Sequence, residues 1–285
     1  MIDFAPTPDD IAGLPLWDGR PDFEPLAGGI SNVSFIATDR SGKYVVRLTR
    51  DFPFHNVYRA REVAVARAAH GAGFAPEVIH AAPGLMISRY LEARALTPAD
   101  VRVDIERIVA MLKRFHRDMA PFASDFVFDT FGINRDYCRQ LEGHAAAADL
   151  ARWGGNNARL EALQLPLPAV FGHHDLLAGN ILDDGTRLWL IDFEYSGTGA
   201  PMFDLANLSS NCGFSADDRA ALLKAFFGTP DAAIARAHRA MEAASLLREG
   251  LWSLVSAQHI HERDFDYVGY AGENFTRMDA VLRDL

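Results

Sequence analysis

The segment Phe171-Gly-His-His-Asp-Leu-Leu-Ala-Gly-Asn-Ile-Leu-Asp-Asp-Gly-Thr-Arg-Leu-Trp-Leu-Ile-Asp-Phe-Glu194 spaces carboxylates and an amide as chemistry would need them. Ile181-Leu182 and Leu188 to Ile191 are apolar runs separated by Asp-Asp-Gly-Thr, the composition of a hairpin turn. Asn180 then precedes the first strand and Asp192 follows the second, which puts both at the open end of one hairpin although they are 12 apart in sequence. Asp175, five residues before Asn180, falls in a loop packed by Leu176 and Leu177, so two carboxylates and an amide are expected to converge. A hard divalent cation such as Mg²⁺ takes oxygen ligands, usually one or two from protein and the rest from phosphates and water. Asn180 and Asp192 offer such oxygens. Asp175 could orient or deprotonate a hydroxyl, the base's part in phosphoryl transfer. Asp and Asn also form turns, and any one of them alone would only cap the hairpin. The three together, as His-x-Asp-x-x-x-x-Asn followed by strand, turn, strand and Asp, point to the chemistry.

The elements around this segment fall into two textures. The first ~25 residues are irregular and carry five prolines. Val33 to Thr38 and Lys43 to Leu48 read as two strands joined by Asp39-Arg-Ser-Gly42, and Arg59 to Ala69 as a helix stopped by Gly71 and Gly73. Short strands are expected at Pro76 to His80 and Leu85 to Ser88. Beyond Leu91 helical periodicity takes over: Val101 to Met119 after the start signal Thr97-Pro-Ala-Asp100, Asn134 to Leu150, Asn157 to Gln164, Asp218 to Phe227, Ala232 to Gln258 and Tyr270 to Leu285. A small β island, Ala169 to Ile191, interrupts them. The expected fold class is α+β, with a β-rich N-terminal lobe over residues 1–90 and a mostly helical C-terminal lobe over 91–285 that holds the short hairpin.

His173-His-Asp-Leu-Leu-Ala-Gly-Asn180, then Ile191-Asp-Phe-Glu-Tyr-Ser-Gly197 and Phe203-Asp-Leu-Ala-Asn207, resemble the protein-kinase-like catalytic loop and metal aspartate. In this spelling they resemble the choline/ethanolamine kinase family, within the aminoglycoside-phosphotransferase-like kinases. Gly250-Leu-Trp-Ser-Leu-Val-Ser-Ala257 and Phe265-Asp-Tyr-Val-Gly-Tyr-Ala271 are similar to that family too, so the resemblance runs from Leu26 nearly to the C-terminus. It implies a bilobal protein-kinase-like fold and transfer of the γ-phosphate of ATP to the hydroxyl of a small amino alcohol, choline or ethanolamine. Mg²⁺ would rest on Asn180 and Asp192, and Asp175 would serve the hydroxyl. Asp204 would anchor the loop, with His173 supporting it and His116 a structural histidine.

The N-terminal half must then supply a phosphate cradle and a cation. Gly28 and Gly29 lead into a strand, where backbone amides can approach an anion without Cβ interference, and Ser31 and Asn32 continue the loop. If Thr38 faces Lys43 across the turn, Arg47 faces Ser34, two residues from Asn32. An arginine there is always charged and can grip phosphate bidentately. By resemblance Glu62 pairs with Arg47, and the strand end Ser88-Arg-Tyr-Leu91 offers backbone groups to adenine.

An amino alcohol carries a cation two carbons from its hydroxyl, which calls for negative charge and, for a quaternary ammonium, aromatic faces. Glu194 is a candidate partner for the cation. Trp252, Phe265, Tyr267 and Tyr270 match the family's choline positions. The family often has Trp-Gly-Leu-Trp where this chain has Glu249-Gly-Leu-Trp252, and more tyrosines where this chain has Gly197-Thr-Gly199. The expected pocket is thinner in aromatics and more acidic, with Glu249 at its border, which brings ethanolamine forward. The alternatives are another small hydroxyl substrate, such as an aminoglycoside, thiamine or a sugar-like alcohol, or a kinase-fold binding protein without activity.

Composition bounds the rest. The 285 residues carry 28 Lys plus Arg against 38 Asp plus Glu, a net charge of −10, which argues against a nucleic-acid partner needing a basic face. No apolar run approaches the ~18 residues of a membrane span. Met1 to Asp10 lacks the basic start of a signal peptide, and a cytoplasmic location is expected. Cys138 and Cys212 are too few for a disulfide framework or a four-cysteine zinc site, and read as reduced, buried thiols.

Overall fold

In a computed structural model of the chain the described residues are 7–26, 33–122, 125–260 and 265–285. Gly28, Gly29, Ser31 and Asn32 lie outside the described residues. The chain divides into two compact units. One comprises Met1–Arg94 with Leu182–Glu194, the other Ala95–Ile181 with Tyr195–Leu285.

Helix α1 (Pro8–Ala12) and strands β1 (Asp22–Leu26), β2 (Val33–Asp39) and β3 (Gly42–Leu48) come first. Helix α2 (Arg59–Gly71) and strands β4 (Val78–Ala82) and β5 (Leu85–Arg89) follow. The five strands form one antiparallel sheet in the order β1-β2-β3-β5-β4. Alternation along β3 buries Tyr44 and Val46, which join Ile11, Ala37, Leu85 and Ile87 in the core of this unit. The β2–β3 register is the one expected from the turn, with Thr38 opposite Lys43 and Ser34 opposite Arg47. Asp39 fixes it by accepting the N–H of Ser41 at 2.8 Å. Strand β1 was not expected, because Pro25 lies within it. It pairs only with β2, at the sheet edge, where a residue without an N–H is tolerated.

The chain continues through β6 (Arg94–Ala95), α3 (Pro98–Val103), α4 (Ile105–Asp118), β7 (Val127–Phe128), α5 (Thr130–Gln140) and α6 (Ala147–Glu161). Strands β8 (Val170–Gly172), β9 (Ile181–Asp183), β10 (Leu188–Leu190) and β11 (Gly197–Gly199) follow. Last come α7 (Pro201–Asn211), α8 (Ala216–Phe227), α9 (Ala232–His259) and α10 (Tyr267–Arg283). The helix expected over Asn134 to Leu150 is two helices, α5 ending at Gln140 with Leu141 as its cap and α6 starting at Ala147, and Gly143 at φ +81° turns the chain between them. Thr97 and Asp100 form the capping box that starts α3. Helix α4 buries Ile105, Ile108, Val109, Leu112 and Phe115, one face at helical spacing. Helices α7 and α9 are buried over Pro201–Ser210 and Ala240–Leu251, on every face, and pack together at the centre of this unit. Strands β7, β11 and β8 form a small sheet in that order, from which the 173–180 loop departs. Strands β9 and β10 are hydrogen-bonded neighbours, with Asn180 just before one and Asp192 just after the other. The architecture is α+β, an antiparallel sheet toward the N-terminus and helices toward the C-terminus. Cys212 is buried and Cys138 half-buried, and neither is bridged. No helix among the described residues is long and apolar enough to cross a membrane.

Candidate active site

In the helical unit the loop bearing Asp175 is tied down from behind by α7. Asp204, completely buried, accepts the backbone N–H of His173 at 3.0 Å and of His174 at 2.8 Å, and the imidazole N–H of His116 at 2.7 Å. Burial acts to raise its pKa, but the His116 bond and the backbone donors hold the carboxyl well below the usual range. Three residues on, Asn207 Oδ1 accepts the N–H of Leu176 at 2.7 Å, and its Nδ2 donates to Ser245 Oγ on α9 at 3.1 Å. Ser196 Oγ donates to the carbonyl of His173 at 3.1 Å. Leu176 is buried, whereas Leu177 is exposed.

His174 sits in the left-handed region, φ 63°. Its ring stacks on Phe128 at 4.3 Å between centroids, and Nδ1 donates to the carbonyl of Tyr195 at 3.2 Å. Gly172 and Gly199 make room for it: a Cβ at either would come within 2.3 Å and 2.7 Å of Nε2. Burial pushes the imidazole pKa down to about 4, so the ring is neutral. These restraints aim the backbone just before Asp175. Asn180 Nδ2 then donates to the carbonyl oxygen of Asp175 at 2.9 Å and to its Oδ2 at 3.3 Å.

In the sheet unit five charged side chains alternate in sign. Arg47 donates to Glu62 at 2.8 Å and to Asp192 at 3.0 Å. Arg59 donates from a single nitrogen to Glu62 at 2.7 Å and to Glu194 at 2.6 Å. Burial opposes the charge on Arg47, but Asp192 and Glu62 outweigh it and raise its pKa. Burial pushes Glu194 up to about 7, with Asp192 adding to the rise and Arg59 opposing it. Asp192 takes φ 68°, uncommon for a residue other than glycine.

The aromatic candidates meet in the helical unit. Trp252 lies 6.3 Å from Tyr267 and 6.5 Å from Tyr270, centroid to centroid, and Phe265 lies 5.6 Å from Tyr270. Trp252 Nε1 donates to the hydroxyl of Tyr195 at 2.9 Å. Glu249 accepts from Arg248 at 2.7 Å and from the Tyr270 hydroxyl at 3.2 Å.

The structure therefore brings Arg47, Glu62 and Asp192 together in one unit, and Asp175 with Asn180 in the other, where Trp252, Tyr267 and Tyr270 also cluster. Glu194 is engaged by Arg59. Sequence reasoning missed Arg59, whose signal was available as Arg-x-x-Glu on one helical face. It missed Arg248 as well, whose neighbours Tyr195 and Phe128 are remote in sequence. Asn207 stood within a quoted motif without a role.

The sequence profile of the phosphotransferase enzyme family matches residues 22–243. A protein named Probable ethanolamine kinase from Arabidopsis thaliana is 25% identical over 292 residues, covering 87% of this chain and 76% of that one. The crystal structure of a choline/ethanolamine kinase family protein from Mesorhizobium loti aligns with a TM-score of 0.79 at 29% identity, covering 96% of this chain and 93% of that one. A structure of LicA in complex with AMP aligns with a TM-score of 0.73 at 19% identity, covering 92% and 93%.

Proposed function

This chain belongs to the phosphotransferase enzyme family, and on that premise we propose that it transfers the γ-phosphate of ATP to the hydroxyl of a small amino alcohol, choline or ethanolamine. The observation that carries the reading is the restraint on Asp175. Its preceding amides are held by Asp204 and its carboxylate is met by Asn180. Phosphoryl transfer is catalysed mainly by positioning and charge neutralisation, so a base fixed in advance is the costly part of the machine. Asp175 receives or orients the substrate hydroxyl. We assign Arg47, held between Glu62 and Asp192, to the nucleotide phosphates, and Gly28, Gly29, Ser31 and Asn32 to the same role by their sequence. The names of the relatives support the acceptor, and the AMP complex of LicA supports the nucleotide.

Each donor taken by itself suits a divalent cation. Asn180 spends its Nδ2 on Asp175, which leaves the amide oxygen as its donor to a metal, and Asp192 offers a carboxylate. Oxygen donors of this kind suit Mg²⁺, which would neutralise phosphate charge when bound. We assign it to Asn180 and Asp192, and assign Glu194, Trp252, Tyr267 and Tyr270 to the acceptor side.

The test is a phosphorylation panel with purified protein, ATP and Mg²⁺, offering choline, ethanolamine, thiamine, a sugar and an aminoglycoside, with products read by ³¹P NMR. A phosphomonoester of choline or ethanolamine that fails to form when EDTA removes the metal is the expected result. Transfer only to one of the other hydroxyl compounds would move the assignment to that class. No transfer to any of them would end it.

A further inference from the structure

Arg248 is 1% exposed, yet its Nε and Nη2 have no hydrogen-bond partner among the described residues. A buried cation in that state must be balanced by charge and by aromatic faces. Both are present. Nη1 donates to Glu249 Oε1 at 2.7 Å, and the guanidinium lies 4.4 Å over the ring of Tyr195 and 5.4 Å over that of Phe128. Asp175 is near enough to act electrostatically on both Arg248 and Tyr270. Glu249 is the carboxylate in direct contact with this cluster, and an ammonium is the ligand whose charge and N–H groups suit it.

The kind of cation follows from which surfaces are already in use. A quaternary ammonium has no N–H and is held by open aromatic faces. Here Arg248 lies over one face of Tyr195 at 4.4 Å and so withholds that face from a quaternary ammonium. Glu249 is the opposite case. Its carboxylate accepts two hydrogen bonds and has capacity for about four, so acceptor sites remain. A bond from an ammonium N–H to such a site is charge-assisted and directional.

We propose that the Arg248–Glu249 pair makes the acceptor site selective for an amino alcohol whose ammonium carries N–H, with Arg248 filling the aromatic face and Glu249 accepting from the substrate nitrogen. The proposal rests on the reading of the protein as an amino-alcohol kinase and narrows the acceptor to the primary amine. Arg248 acts as a positioning residue through Glu249.

The test is the series ethanolamine, N-methylethanolamine, N,N-dimethylethanolamine and choline, with kcat and KM measured for each. For wild type, kcat/KM should favour ethanolamine over choline at least tenfold, with the loss carried mainly by KM and growing as N–H groups are replaced. In Glu249→Gln the ratio should fall below threefold because ethanolamine loses and choline does not. That variant leaves Arg248 without its carboxylate, so the double variant Arg248→Met with Glu249→Gln, which buries no charge, is measured beside it with the same expectation. A wild-type ratio below threefold, a preference for choline, or a ratio unmoved in the folded variants overturns the selectivity alone. Absence of turnover with all four amines overturns the kinase reading and the selectivity with it.

Discussion

Asp204 accepts the backbone N–H of His174 through Oδ1 at 2.8 Å, while its Oδ2 takes the N–H of His173 at 3.0 Å and the imidazole of His116 at 2.7 Å. One buried carboxylate thus fixes the two peptides that lead into Asp175. Asn at this position keeps the size but turns an NH₂ toward one of those donors. Asp204→Asn is expected to lose ~2–4 kcal/mol of stability in urea unfolding, because a buried charged acceptor is removed from three donors. Its kcat should fall more than tenfold even in the folded fraction. A change in stability within about 0.5 kcal/mol, the range of an ordinary surface substitution, would contradict the anchoring role.

Arg59 separates two buried carboxylates, Glu62 and Glu194. Removing it leaves both without that cation, and Arg59→Ala is expected to cost ~3–5 kcal/mol, as broken buried pairs do. Glu194→Gln added to Arg59→Ala should recover part of that loss, since one unpaired charge disappears. A double-mutant cycle by urea unfolding measures the coupling, expected at about 1–3 kcal/mol for residues in direct contact. Strict additivity would show that the pair does not interact.

Arg47 contacts Glu62 and Asp192 through two different nitrogens, a fork that lysine lacks. Arg47→Lys keeps the charge and loses one of the two contacts. The expected outcome is a rise of about tenfold in the KM for ATP with a smaller fall in kcat, as for loss of a bidentate contact. An unchanged KM for ATP would remove Arg47 from the phosphate site.

His174 makes the protein sensitive to mild acid. Its folded pKa, about 4, lies below the 6.5 of the free side chain, mainly because it is buried. Asp204 and the Tyr195 carbonyl favour its charged form, and His116 and His173 oppose it. Between these two values the unfolded chain holds a proton that the folded ring does not, so stability rises with pH across this window. It is fully present above about pH 6.5 and declines as the pH falls toward 4. Asparagine also tolerates φ 63°, so His174→Asn removes the titration with little backbone strain. From pH 7.5 to 5.0 wild type should lose about 2 kcal/mol more than His174→Asn in urea unfolding. His238, also buried and lowered, acts equally in both proteins and cancels. Parallel pH dependences would show that His174 does not carry the effect.

The residues that share one short segment were legible in sequence, because a hairpin fixes its own ends: Asn180 and Asp192 flank β9 and β10 as the turn composition implies. The Ser34–Arg47 pairing was legible for the same reason, since one tight turn sets the register of both strands. What sequence concealed is long-range. Arg59 and Glu194 are 135 positions apart and Arg248 stacks on a tyrosine 53 positions earlier, and no local pattern links them. The grouping of Leu182–Glu194 with the N-terminal residues is likewise invisible in chain order. At β1, pairing at a sheet edge overrode the proline that spoke against a strand, and between α5 and α6 a turn containing the left-handed Gly143 interrupts a run that propensity would continue.

If Asp175 serves the acceptor hydroxyl, its loss must stop transfer while sparing the nucleotide. The decisive measurement is transfer of labelled γ-phosphate from ATP to ethanolamine in wild type and Asp175→Asn, with ATP affinity measured on the same samples. Asp175→Asn should lose at least a hundredfold in kcat, the scale of removing a general base, while its Kd for ATP stays within threefold. Transfer retained within tenfold of wild type by a folded Asp175→Asn would contradict it.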